Sequence, residues 1–375
     1  MFFELGPIRP PSEAESLLLR FTRNCPWNKC HFCITYRGEV FSRRKVEDIK
    51  NDVDSVSRII ELIREKSIKL GFGGEINRQV LSEVYQTGNH RLIHVASWMY
   101  RGGRTIFIQD ANSLVMKTSE LVSVLLYIKE KLSTVERITS YARSKTIARK
   151  TVEELSEIRQ AGLNRIHIGM ESGSDAVLKY INKGVTSREH IEAGKRVVEA
   201  GISLSEYVIL GLGGKLWPEE HPLETARVLN EINPHFIRMR TLAVLPDTPL
   251  YDKLVSGEFI EQTEDEIVAG ERLLIEKLEG IKSEVVSDHM LNLLEEVNGK
   301  LPQQKQFLIS ILDRYLSMPE RDRINFRLGR RAGIYRWLDD MRDTAKHARV
   351  EALVKKLEAE GSLDGTISSL RSRML

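Results

Sequence analysis

Three cysteines are all that this chain of 375 residues contains. A small odd number cannot build a disulfide framework, which excludes a disulfide-stapled secreted fold. No run of about 18 apolar residues occurs, so no helix is expected to span a bilayer. Neither sign of charge dominates: 56 Lys and Arg stand against 53 Asp and Glu, a net +3. Charge alone therefore gives no argument for a nucleic-acid partner. The start, "MFFELGPIRPPSEAES", lacks the basic and apolar regions of a signal peptide. Long-period repeats and low-complexity segments are absent as well. With 41% hydrophobic and 29% charged residues, the expectation is an ordinary soluble, cytoplasmic protein.

What is present is alternation. "SLLLRFTRN" (16–24), "RTIFIQD" (104–110), "ERITSYAR" (136–143), "RIHIGMES" (165–172), "LSEYVILGLGG" (204–214) and "FIRMRTLAVL" (236–245) read as strands. Helical periodicity occupies 46–65, 118–132, 151–162, 187–201 and 218–232. Strand–helix succession implies parallel strands joined by right-handed crossovers. The predicted class is α/β, a partial (βα)6 TIM-like barrel with a C-terminal helical region. Loops at the C-terminal strand ends then carry the chemistry. The expected organisation is an N-terminal extension (1–15), a core barrel (16–254) with an insertion at about 66–103, and a mainly helical region (255–375). "DHMLNLLEEVNGKLPQQKQFLISILDRYLS" reads as helical and "IKSEVVSD" (281–288) as one short strand. Arginines crowd 320–349; interleaved acids suggest a solvated helical face, the alternative being a basic lip for an anionic substrate.

All three cysteines lie in "NCPWNKCHFC" (24–33), directly after the first strand. Cys25, Cys30 and Cys33 can converge on one soft metal centre. A closed zinc site needs four ligands, commonly as two separated pairs, and no second pair exists; His31 would have to bend back awkwardly to serve. An iron–sulfur cluster held by three thiolates instead leaves one iron open for a substrate or cofactor. Three incidental buried thiols are the remaining alternative, which the clustering disfavours.

A three-cysteine loop after the first strand of a six-unit barrel resembles the radical S-adenosylmethionine (radical SAM) superfamily. The resemblance covers roughly residues 15–250. It implies a [4Fe–4S] cluster on Cys25, Cys30 and Cys33, with S-adenosylmethionine on the open iron. It implies reductive cleavage to a 5′-deoxyadenosyl radical that takes hydrogen from a substrate. The spacing departs from the common one: four residues, not three, separate Cys25 from Cys30. Phe32 matches the family's aromatic before the last cysteine, near the adenine. The family's Gly-Gly-Glu-like turn after the second strand has a literal counterpart, "GFGGE" (71–75), and a non-literal one, "QDANS" (109–113). Six strands result only if the second is "RTIFIQD", so Gln109, Asp110 and Asn112 are the expected contacts to the SAM ammonium, with 71–75 a plain turn.

Further strand ends fit the resemblance. Ser140 and Arg143 follow the third strand, where Arg143 could pair with the SAM carboxylate. Glu171 in "GMESGS" resembles the branch containing oxygen-independent coproporphyrinogen oxidases and related tRNA-modifying enzymes, and would face the ribose or the amino group. Gly211 and Gly213 would allow close approach of backbone to adenine. The implied partners are a one-electron donor of flavodoxin or ferredoxin type and an unidentified substrate. No further cysteine is available for a second cluster, and no cobalamin domain is expected before the barrel. A non-catalytic iron–sulfur or zinc protein and a radical SAM RNA-modifying enzyme remain alternative readings. Trp98 and Tyr100, with His94 and Arg101 nearby, have the spacing of core residues on a helix.

Overall fold

The computed structural model describes residues 2–374. The chain divides into two compact units. The first comprises Met1–Lys29, Thr35–Gly169 and Glu192–Leu204; the second Cys30–Ile34, Met170–Ile191 and Ser205–Leu375.

In the first unit, β1 (Leu17–Arg20) buries Leu17 and Leu19 by strict alternation. The expected single strand over 16–24 is broken. Phe21 donates its N–H to Gln109 O at 2.7 Å, and β2 (Thr22–Arg23) turns away to pair antiparallel with β3 (Ser42–Arg43). β4 (Thr105–Gln109) lies parallel to β1, with Leu17 opposite Ile106. β5 (Arg137–Ala142) is parallel to β4, and β6 (Leu163–Glu171) is parallel to β5 with an irregularity at Ile138/Thr139.

The helices of this unit cover the strands by apolar stripes. α1 (Val46–Lys69) buries Ile49, Val53, Val56, Ile59 and Ile63, which lie on one side of a 3.6-residue repeat. α2 (Arg78–Tyr85) and α3 (His90–Tyr100) start at Asn77 and Asn89, whose side chains cap the first amides. These two helices make up most of the insertion, and α3 buries Trp98 while Tyr100 is exposed. α4 (Thr118–Lys131) packs between α1 and α6 (Val152–Ala161). A short α5 (Ser144–Ile147) follows β5. Thr151 and Glu154 cap α6 reciprocally, and Gly162 at φ 131° ends it.

In the second unit, α7 (Asp175–Tyr180) follows Glu171, and α8 (Ser187–Glu199) runs on into the first. β7 (Ser203–Leu210) pairs parallel with β8 (Phe236–Thr241), and β8 with β9 (Glu284–Val286). β7 ends at Leu210 rather than running to 214, because Gly211 turns at φ 81°. α9 (Glu220–Ile232) packs on α11 (Glu264–Lys277), and α10 (Pro249–Val255) starts at a Thr248 cap.

One expectation fails in the C-terminal region. Residues 289–304 are turns plus β10 (Gly299–Lys300), which pairs antiparallel with β9; helix resumes only at α12 (Lys305–Leu316). Gly299 and Pro302 are both poor in a helix interior, and Asn292 and Asn298 bond backbone groups instead. α13 (Glu320–Arg331), α14 (Thr344–Ala359) and α15 (Leu363–Ser372) complete the chain. The class is α/β, with the strand–helix succession of a partial (βα)6 barrel and a helical C-terminal region. No helix among the described residues is long and apolar enough to cross a membrane.

Candidate functional site

The start of the cysteine loop is fixed from beneath. Asn24 and Asn28 both adopt left-handed backbone, at φ 65° and 47°, which asparagine tolerates better than most residues. Asn24 donates its N–H to Asp110 Oδ2 at 3.1 Å and its amide to Val40 O at 2.8 Å. Asn28 donates its amide to Tyr36 O and, at 3.2 Å, to Glu39 O. Cys25 sits between these two anchors.

Asp110, fully buried, therefore organises the loop. The same Oδ2 accepts Arg20 Nε at 2.6 Å. Arg20 is also paired with Glu4, which bridges Arg23 and Arg44. Burial, reinforced by the charge of Asp110, raises the Tyr36 phenol far above its ordinary range. Gln109 is committed elsewhere: its amide accepts from Gly6 N and donates to Gly6 O and Ile8 O at 2.6–3.0 Å. Asn112 accepts the Arg143 N–H at 3.1 Å and donates to Thr146 Oγ1 at 2.7 Å. Ser140 is buried and donates to Tyr141 O. The Arg143 guanidinium lies 5.2 Å from the Trp27 ring centroid, a cation–π contact beside Cys25.

The literal Gly-Gly-Glu run is placed as expected of a plain turn. Residues 71–75 follow α1, not a strand, and Glu75 is exposed.

In the second unit, Cys33 N–H donates to Cys30 O at 3.3 Å, a tight turn. His31 ties this segment down through its backbone, to Ile181 O at 2.8 Å and from Leu250 N at 3.0 Å. Phe32 packs against the buried cluster of Val177, Ile181, Leu212, Leu242, Leu250 and Phe259. Lys183 Nζ lies 5.9 Å from the Phe32 centroid and 2.7 Å from Glu171 Oε1. Glu171 itself has φ 65°.

Gly211 and Gly213 have local reasons to be glycine. A Cβ on Gly213 would stand 2.6 Å from Trp217 O, and one on Gly211 3.0 Å from Ile267. Next to Gly213, His221 bridges Ser172 Oγ and Ile209 O; burial lowers its pKa to about 4.

The sequence reading passed over Glu206. It is fully buried with neither carboxylate oxygen hydrogen-bonded. Burial and the nearby Glu171 charge raise its pKa well above the carboxylate range, with Lys183 acting the other way. Its signal was there to find: an acid inside the otherwise apolar "LSEYVILGLGG".

Most arginines of 320–349 are ion-paired with acids, as the solvated-face reading expects. Arg321 pairs with Glu351 and Glu358, Arg323 and Arg327 with Asp265, Arg330 and Arg336 with Glu295, and Arg331 with Glu264.

Among the described residues, no three His, Cys, Asp or Glu side chains converge as metal ligands. The donor set itself fits an iron–sulfur cluster. None of the three is in a disulfide, all three are partly exposed, and soft sulfur is what such clusters take.

The chain resembles several known proteins over part of its length. The chain is 29% identical over 104 residues to an uncharacterized protein of Methanocaldococcus jannaschii, covering 28% of this chain and 32% of that protein. It is 22% identical over 191 residues to the heme chaperone HemW of Buchnera aphidicola, covering 50% of this chain and 49% of that one. The matched regions thus span half or less of these relatives. A solved structure of the radical S-adenosylmethionine methyltransferase TsrM from Kitasatospora setae aligns with TM-score 0.44 at 12% identity, over 64% of this chain and 39% of that one. The model of the radical SAM superfamily matches residues 19–229, more than half of the chain and all three cysteines within it. The protein therefore belongs to the radical SAM superfamily, whose cofactors are a [4Fe–4S] cluster and S-adenosylmethionine.

Proposed function

We propose that this protein is a cytoplasmic radical SAM enzyme whose cluster ligands are Cys25, Cys30 and Cys33. When bound, the cluster and S-adenosylmethionine supply reductive cleavage to a 5′-deoxyadenosyl radical that removes hydrogen from a substrate. The observation that carries the reading is the family match over 19–229, which contains every thiol in the chain.

The chain's own residues prepare the site. Asp110 and Asn28 hold the backbone on either side of Cys25, so the loop is ordered before it is loaded. Arg143 offers a fixed cation to a carboxylate, its backbone held by Asn112. Glu171 offers an acceptor to hydroxyl or ammonium, its Oε1 held 2.7 Å from Lys183 Nζ. Phe32 contributes an apolar face. Electrons come from a flavodoxin- or ferredoxin-type donor.

The test is anaerobic reconstitution with iron and sulfide, followed by reduction in the presence of S-adenosylmethionine. A brown protein that releases 5′-deoxyadenosine, and loses both properties on Cys30→Ala, supports the reading. A colourless zinc-loaded protein, or a brown one inert toward S-adenosylmethionine, refutes it.

A further inference from the structure

The substrate class can be read from β8 and β9. Along β8, Arg238 and Arg240 alternate with Ile237 and Met239, which are fully buried. In the β7–β8 register, Tyr207 lies opposite Arg238, and Val208 opposite Met239. Val208 and Leu210 face His221 and Thr225 of α9 and Ile267 of α11 across a small cavity. Tyr207, Arg238 and Arg240 therefore occupy the other face of the sheet, away from α9 and α11.

Two buried guanidiniums share one carboxylate there. Arg238 Nη1 and Arg240 Nη1 each reach Asp288 at 3.1 Å, one to each oxygen. The arginine side chains are only 7% and 13% exposed, whereas Asp288 is 36% exposed. The Arg240 guanidinium also lies 5.0 Å from the Tyr207 ring centroid. Donors remain over: Arg240 Nη2 and Arg238 Nε are buried without a hydrogen-bond partner among the described residues.

The charge count is equally uneven. Two cations and one aspartate leave a net +1. His289 adds nothing at neutral pH, since burial and the Arg240 charge lower its pKa to about 4. Glu295, the next acid along, is taken by Arg330 and Arg336. A buried surplus cation with an idle planar donor calls for one more anion.

We infer that Arg240, aligned by Asp288 and the Tyr207 ring and backed by Arg238, binds a carboxylate of the substrate. A single net positive charge matches a monoanionic carboxylate better than a phosphate dianion, and the guanidinium edge suits carboxylate geometry. The assignment rests on the enzyme reading above for the word substrate, and on Tyr207, Arg238, Arg240 and Asp288 alone for the anion.

The probe is propionate, titrated into the reconstituted holoenzyme by calorimetry at constant ionic strength in chloride. Propionamide serves as the neutral control and inorganic phosphate as the competing anion. Arg240→Gln is expected to weaken propionate about tenfold. Asp288→Asn, which frees both arginines, is expected to tighten it severalfold and tests the idea even if the first variant misfolds. Equal binding of propionamide, stronger binding of phosphate, or no response to Asp288→Asn overturns the inference. Release of 5′-deoxyadenosine by the wild-type protein is scored separately; its failure removes the enzyme reading while leaving the anion measurement intact.

Discussion

Asp110 accepts the backbone N–H of Asn24 at 3.1 Å with the same oxygen that takes Arg20 Nε at 2.6 Å. The residue after one strand thereby sets the chain's exit from another, one position before the first cysteine. This is a positioning role, and it makes loop order depend on a carboxylate far away in sequence.

Asp110→Asn should therefore cost both stability and loading. An amide keeps an acceptor for Asn24 but leaves Glu4 as the one carboxylate paired with Arg20 among the described residues. Breaking so buried a pair is expected to cost about 3 kcal/mol. Urea denaturation measures that loss. Iron content per chain after reconstitution should fall although all three thiols remain; undiminished iron at lowered stability would show that Asp110 does not order the loop.

Glu75, in the literal Gly-Gly-Glu run, and Glu171, at the end of β6, are two acids whose substitution tests where S-adenosylmethionine is held. Glu75 is exposed in the turn after α1, so Glu75→Gln should change stability by less than about 0.5 kcal/mol and leave 5′-deoxyadenosine release untouched. Glu171→Gln should raise the S-adenosylmethionine concentration needed for half-maximal release about tenfold, the worth of one charge-assisted hydrogen bond. The opposite pattern would move the cradle to residues 71–75.

The parallel strands were legible because their pattern is local: β-branched and apolar alternation in "RTIFIQD" and "ERITSYAR" gives β4 and β5 to within two residues. The thiols were legible because they are contiguous. Asp110 as a loop anchor was not, because Arg20 and Asn24 lie 90 and 86 residues away. Arg238 and Arg240 stood in plain view in "FIRMRTLAVL", but their significance needs Asp288, which arrives two residues after β9. Residues 289–304 misled because leucines at helical spacing there fill a folded loop around Asn292, whose side chain bonds Thr241 and Met239.

Gly213→Ala should be more harmful than its small volume suggests. The added methyl meets a backbone oxygen at 2.6 Å and His221 Cβ at 2.9 Å, neither the end of a flexible side chain. A loss of about 1–3 kcal/mol is expected, read as a lowered urea midpoint. Gly211→Ala adds left-handed strain at φ 81° and should cost about as much. An undiminished midpoint in Gly213→Ala would mean that the turn after β7 yields easily.

Acid should weaken the fold in two stages. Burial first, with the Arg9 charge in His94 and chiefly the Arg240 charge in His289, lowers His94, His221 and His289 to about 4 from 6.5. The unfolded chain binds their protons more readily, so this stability is complete above about pH 6.5 and is lost as pH falls toward 4. Glu13 follows lower down. Burial opposes its ionisation, but the His167 ring 3.7 Å away, the hydrogen bond from Ser16 and the Arg137 charge outweigh it and hold it at about 2. Its contribution, about 3 kcal/mol, is present above about pH 4.5 and fades toward 2. Urea midpoints should therefore lose this histidine contribution between pH 6.5 and 4, partly offset by Glu206 and Glu271, whose carboxyls burial raises, Glu271 to about 8. His221→Gln, which keeps a donor and an acceptor for Ser172 and Ile209 O, should flatten that drop. A slope unchanged by this substitution would show that His221 is protonated as readily in the folded protein as in the unfolded one.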